Sequence, residues 1–292
     1  MADGYLNFNT KIDTTGFNKG TNTISKSIEM LKSSIVKIGA AVGVAFGIKQ
    51  ISSFGKSCVS VATQARNAMM GLQSIVQGQG KSFSQANKFI QEYTADGLIP
   101  LAEATTAYKN LASRGYSTDQ IENVMTALKN SAAYGRQASL TMGEAVSSAT
   151  EGLKNENSIL VDNAGVTKNV SVMWKDYAES LGISYADLTK QQKIQAEVNG
   201  ILAETRFQTG DAAKVASSFS GQISQLSTSF LRLKSAVGGI LMNVLEPVVK
   251  GINNMLSSMI SYVNTLSGSL SKMFGWENKS GGAVAETASS IS

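Results

Sequence analysis

The sequence contains no histidine and a single cysteine, Cys58. Without an imidazole there is no Ser-His-Asp or Cys-His nucleophile pair, and the commonest zinc ligand is missing. One thiol permits no intrachain disulfide and no cysteine-rich metal cluster. Cys58 reads as a small buried hydrophobe, and an unpaired thiol suits a reducing cytoplasm better than oxidative secretion. Proline is nearly absent, with only Pro100 and Pro247, and aromatic residues fill just 7% of the 292 positions. Much of the 42% hydrophobic content is alanine, and charged residues make up 16%. Few prolines, many alanines and scattered Lys and Glu favour long helices, in a chain long enough for one or two cores.

Acidic residues are missing from one stretch. Between Met30 and Gln91 there is no Asp or Glu, while Lys32, Lys37, Lys49, Lys56, Arg66, Lys81 and Lys88 lie there. The formal net charge of +5 therefore resides in this segment, because residues 1–30 balance and residues 92–292 are slightly acidic. Two readings stay open: a solvated helix face, or attraction to DNA or anionic lipid. The stretch lacks the aromatic interleaving and arginine density of a dedicated nucleic-acid module. Asp3, Asp13 and Glu29 precede the first apolar run, so no secretory signal is legible.

Residues 1–16 suggest a short extended segment, alternating through Tyr5, Leu6 and Phe8 and broken by a turn at Asp13 to Gly16. From Phe17 the period becomes helical: Phe17, Ile24, Ile28, Leu31, Ile35 and Ile38 form one stripe. The stripe widens into eleven uncharged residues between Lys37 and Lys49, too short for a membrane span of about 20. Gly39, Gly43 and Gly47 share one face there. They would cost an isolated helix roughly 2–3 kcal/mol, which close helix packing would offset; a membrane-active segment or a flexible joint are the other readings. Residues 17–80 thus form a basic, glycine-containing helical region.

Residues 81–207 read as a compact multi-helix block. Helices are expected at 82–94, 101–113, 118–134, 140–153, 170–181 and 189–207, separated by Gly97 with Pro100, Gly115, Gly135, an Asx turn near Asp162 and Asn163, and Gly182. Residues 208–272 read as a long helical, coiled-coil-like region. Val215, Phe219, Ile223, Leu226, Phe230, Leu233 and Val237 recur at spacings of four and three, a heptad seam that calls for a partner helix. Pro247 should kink it. Residues 273–292, rich in Gly, Ser and Ala, read as a tail or linker. The fold class is all-α, elongated, with long amphipathic helices flanking a compact block.

No residue set with catalytic or metal-binding spacing emerges. Asp176 with Glu179, and Glu197 with Glu204, read as ordinary surface charge. Trp174 and Tyr177 read as core. The glycines near residue 43 lack the phosphate-loop pattern, and no Asp-dense loop offers a cation site.

Several segments taken in order carry a family resemblance. Ser158 to Val166 (SILVDNAGV) is followed by Tyr177 to Gly182 (YAESLG), Leu188 to Lys193 (LTKQQK) and Val198 to Leu202 (VNGIL). Then come Gly210 to Lys214 (GDAAK), Ser217 to Gln222 (SSFSGQ), Leu231 to Lys234 (LRLK) and Leu245 to Val249 (LEPVV). This succession resembles phage and prophage tail tape measure proteins, as does the opening from Phe8 through Phe17 into a helix. The resemblance implies a non-enzymatic helical scaffold without a cofactor, in the lumen of a tail tube assembled in the bacterial cytoplasm. It would set tail length and assist assembly and DNA ejection. The implied partners are further copies of itself, the tail tube protein, tail tip or baseplate proteins, a tail assembly chaperone, and DNA or host membrane during ejection. Family members are usually longer. At ~1.5 Å per residue, 292 residues span at most about 440 Å, which fits either a short-tailed system or the N-terminal part of a longer ruler, the linker-like end favouring the second. On this reading Gly39, Gly43 and Gly47 serve packing or membrane entry. Phe219, Ile223, Leu226, Phe230 and Leu233 form a self-association seam, and the basic run from Lys32 to Lys88 contacts DNA or lipid. The rival reading is a membrane-active helical protein of the pore-forming toxin kind.

Overall fold

The computed structural model describes residues 48–274, and among them every regular element is helical. The calls at residues 1–47 and 275–292, including the extended N-terminal segment, the Gly39, Gly43 and Gly47 stripe and the C-terminal tail, lie outside the described residues. Ten α-helices follow in order: α1 (Ile48–Gly78), α2 (Phe83–Thr94), α3 (Leu101–Arg114), α4 (Thr118–Gly135) and α5 (Met142–Asn155) come first. Then come α6 (Ser158–Asp162), α7 (Val170–Leu181), α8 (Lys190–Thr205), α9 (Asp211–Ser217) and α10 (Phe219–Phe274). Short 3-10 turns at Tyr185–Asp187 and Arg206–Gln208 flank α8. Residues 56–239 form one compact unit; residues 48–55 and 240–274 belong to another.

The helix limits have local causes. Ser117, Thr141 and Thr189 each head a capping box, accepting from the backbone N–H of Gln120, Glu144 and Gln192 while that residue's side chain returns to the cap N–H. Both reciprocal bonds satisfy donors that a helix start otherwise leaves bare. α3 ends at Gly115, whose φ of 108° only glycine adopts freely; Tyr116 N–H then donates back to the Leu111 carbonyl.

Within residues 56–239, α3 packs on α5, α5 on α6, α4 on α8, α7 on α8 and α9 on α4. The core collects Leu72, Ile90, Tyr108, Leu111, Leu128 and Leu153, all essentially inaccessible. Alanine does much of the lining: Ala104 and Ala107 on α3, and Ala145 and Ala149 on α5, are fully buried. Side chains this short let helix axes approach closely, which explains how a chain poor in aromatics still builds a continuous core. Cys58 is buried as its composition implied, and burial pushes its thiol up.

Two expectations need correction. The Asx turn before Gly165 contains a one-turn helix, α6, capped by the Asn157 side chain. The long helical region expected over residues 208–272 is broken after Ser217, where Ser218 adopts extended backbone and separates α9 from α10.

Candidate interaction seam

Ser218 starts α10 as its N-cap: its Oγ accepts from Gly221 N–H at 3.2 Å and its carbonyl from Gln222 N–H at 2.9 Å. Immediately beyond, one side of the helix meets the compact unit so closely that side chains are excluded. A Cβ on Gly221 would lie 1.9 Å from the Val215 carbonyl oxygen, and one on Gly238 would lie 2.0 Å from that of Cys58. Between these contacts the inward face is largely small and polar. Thr228 is buried, and Gln225 lies against Gly97 while donating to the Ala216 carbonyl at 2.8 Å. Arg232 donates to the Thr94 carbonyl at the C-terminal end of α2. Lys129 donates to the neighbouring Tyr93 carbonyl and pairs with Asp96 at 2.7 Å. Two cations thus sit where the dipole and bare carbonyls of α2 favour positive charge.

Five large apolar residues in the first turns of α10 face the other way. Phe219 is 78% exposed, Ile223 53%, Leu226 68%, Phe230 48% and Leu233 38%. An amphipathic helix packed on its own unit ordinarily buries such a stripe; here these five residues stay exposed. The five residues singled out by spacing form one continuous exposed line. Val215 and Val237, which the same spacing placed in the seam, are buried instead. Val215 sits on α9 beyond the Ser218 break, and Val237 adjoins the Gly238 contact with α1.

A second arrangement was not legible as a site. Glu197, read from sequence as surface charge, has no exposed surface. Its carboxylate accepts from Tyr116 Oη, from Trp174 Nε1 at 3.0 Å and from Arg114 Nη2 at 3.2 Å. Arg114 also pairs with Glu156 at 2.7 Å. Burial pushes the Glu197 carboxyl up, while Tyr116, Arg114 and Trp174 oppose it. The same burial, with the Glu197 charge, raises Tyr116 well above its ordinary value. A buried carboxylate with three donors is a structural tie between α3, α7 and α8. Glu204, its presumed surface companion, accepts from the N–H groups of Thr167 and Lys168 ahead of α7. Trp174 is buried and Tyr177 half-buried, as expected of core residues.

Among the described residues, the basic run is not gathered into one patch. Lys32 and Lys37 lie outside the described residues, as does the side chain of Lys49. Lys56 and Arg66 are exposed on α1, separated by about 15 Å along the axis and roughly a quarter-turn around it. Lys81 turns inward to the Tyr116 carbonyl at 2.7 Å, and Lys88 lies 3.9 Å from Glu92. Among the described residues, no three of His, Cys, Asp and Glu are grouped to hold a metal ion. No protein-family model matches the chain, and no curated protein or solved structure is significantly similar to it.

Proposed function

We propose that this chain is part of a phage or prophage tail tape measure protein, a helical scaffold in the tail tube lumen that sets tail length. The observation that carries the reading is α10. Its 56 residues amount to about 80 Å of contour at ~1.5 Å each, and the apolar stripe of its first turns, Phe219 to Leu233, is turned outward. A helix built this way works by association. The ordered segments from Ser158 to Val249 supply the family assignment, and α7, α8, α9 and the start of α10 fall within them. In this role the chain needs no catalytic group and no cofactor; its partners are the tail tube protein, tip or baseplate proteins and an assembly chaperone. During ejection it meets DNA or the host membrane. Mass spectrometry of purified tails from the encoding phage tests this: the polypeptide should be a stoichiometric tail component, and tails lacking it would overturn the assignment.

One observation favours a membrane-active reading as the alternative. No single described helix is long and apolar enough to cross a membrane, but adjoining pieces of α10, Phe219–Asn243 and Leu245–Ser258, pass that test together across a 41° bend. The bend falls between Asn243 and Leu245, about one turn before Pro247, and a proline inside a helix disturbs the carbonyl four residues earlier. Dye release from anionic vesicles by the purified chain, without tail proteins, would support that reading over the scaffold.

A further inference from the structure

We infer that residues 219–238 of α10 form a detachable arm, docked over a core that is complete without them and able to swing away at Ser218 while that core stays folded.

The first ground is which side chains build the core. It runs from Leu72 on α1 to Val215 on α9 and takes no side chain from α10. The seven-residue α9 gives it Ala212 and Val215, whereas residues 219–238 give none. Within that stretch one apolar side chain, Val237, is buried, and it adjoins the Gly238 contact with Cys58 and Ala62 outside the core cluster. Burial of apolar surface is the main force tying an element to its neighbours, and this seat has little of it. Segments with few buried apolar contacts open at the low end of a protein's range of local stabilities.

The seat is instead made of shape and polar contacts. Gln225 donates to the Ala216 carbonyl at 2.8 Å, Arg232 donates to the Thr94 carbonyl, and Thr228 is buried between them. Release exchanges such hydrogen bonds for bonds to water, so their net loss is small. The joint is equally local. Ser218 has φ −82° and ψ 164°. Its N–H and Oγ both donate to the Val215 carbonyl, at 2.9 and 2.7 Å, so it closes α9. It also opens α10, where its Oγ accepts from Gly221 N–H and its carbonyl from Gln222 N–H. Rotation about this one residue redirects the arm without breaking a turn of either helix.

Gly221 sets the docked direction. A Cβ there would lie 1.9 Å from the Val215 carbonyl oxygen and 3.0 Å from Ala216 Cα, both backbone atoms. Alanine favours a helix more than glycine does, so Gly221→Ala strengthens α10 as a helix while closing its seat. That separates docking from helix formation, two properties most substitutions would change together. The chain thus has a seated form and an extended form, independent of the scaffold assignment because only packing within residues 56–239 is involved.

Electron-spin distance measurement on the full chain tests the arm, with labels on Gln91→Cys in α2 and Ser229→Cys in α10, both exposed positions. Cys58 is buried and stays unlabelled. The labelled parent should hold mainly one short, docked distance. Gly221→Ala should lower the ratio of docked to free arm at least tenfold with helix content undiminished, and Arg232→Ala should shift it the same way. Hydrogen exchange of α3 and α5 should stay at the parent's level in both variants. A short distance that neither substitution alters would overturn the inference. Protection of α3 and α5 lost together with docking would overturn it too, by making α10 part of the cooperative core.

Discussion

Glu103 offers a quantitative test of the packing between α3 and α5. Its carboxyl is seated over the first turn of α5, so that a Cβ on Gly143 would fall 1.6 Å from Glu103 Oε2 and 3.2 Å from Pro100 Cδ. Oε2 is buried with no hydrogen-bond partner. The neighbouring Glu144 is already committed to the α5 cap, accepting from Thr141 N–H at 2.8 Å and from Thr141 Oγ1. These bonds hold Glu144 below its ordinary value, whereas burial and then the Glu144 charge push Glu103 up from 4.5 to about 7. Because the folded value lies above the unfolded one, the protonated carboxyl favours the fold. That advantage is complete below about pH 4.5 and is lost as pH rises through about 7. A shift of this size corresponds to about 3 kcal/mol, and water reaching the half-buried side chain reduces it to about 1–2 kcal/mol. For a unit of this size that means a fall in Tm of roughly 2–8 °C. Glu103→Gln keeps the shape and removes the titration. Thermal denaturation from pH 5 to 9 should show wild type losing stability toward pH 8 and the variant holding a flatter curve above it. Parallel curves for the two proteins would refute the reasoning.

Further outcomes follow from the same contacts. Glu197→Ala strands the Arg114, Tyr116 and Trp174 donors and should cost at least about 3 kcal/mol in urea denaturation, with a change in Trp174 fluorescence; Glu197→Gln, which still accepts, should cost less. Gly238→Val drives a side chain into the Cys58 backbone and Ala62, so α1 and α10 must separate, with a loss of roughly 2 kcal/mol or more and faster hydrogen exchange along residues 228–238. Arg232→Ala removes the cation at the end of α2 and should cost about 1–2 kcal/mol while loosening the α10 contact in the same exchange experiment. Protection of residues 228–238 unchanged from wild type would show that the anchor does not hold the helix.

Most helix limits were legible because their causes are local. Gly115, Gly182 and the Ser117, Thr141 and Thr189 caps act over three or four residues, so the sequence carries both the signal and the structure it specifies. The break at Ser218 was hidden because Val215 and Phe219 stand four apart and continue the stripe across it. The five-residue α6 was too short to show a period. Seam residues were legible by spacing, but which way they face was not: periodicity finds an apolar line and says nothing of what covers it. The inward packing that decides the matter depends on Gly97, Thr94 and Cys58, more than a hundred residues away in the chain. Glu197 was misread for the same reason, since its three donors come from Arg114, Tyr116 and Trp174, 23 to 83 residues away.

The most direct test of the scaffold account is tail length in particles carrying an in-frame deletion of residues 249–269, three heptads of α10 beyond the seam, beside a duplication of the same residues. Twenty-one residues at ~1.5 Å each correspond to about 30 Å. The account predicts tails shortened and lengthened by about that amount in negative-stain micrographs. Tails of wild-type length in both strains, with the altered polypeptide present in the particles, would contradict it.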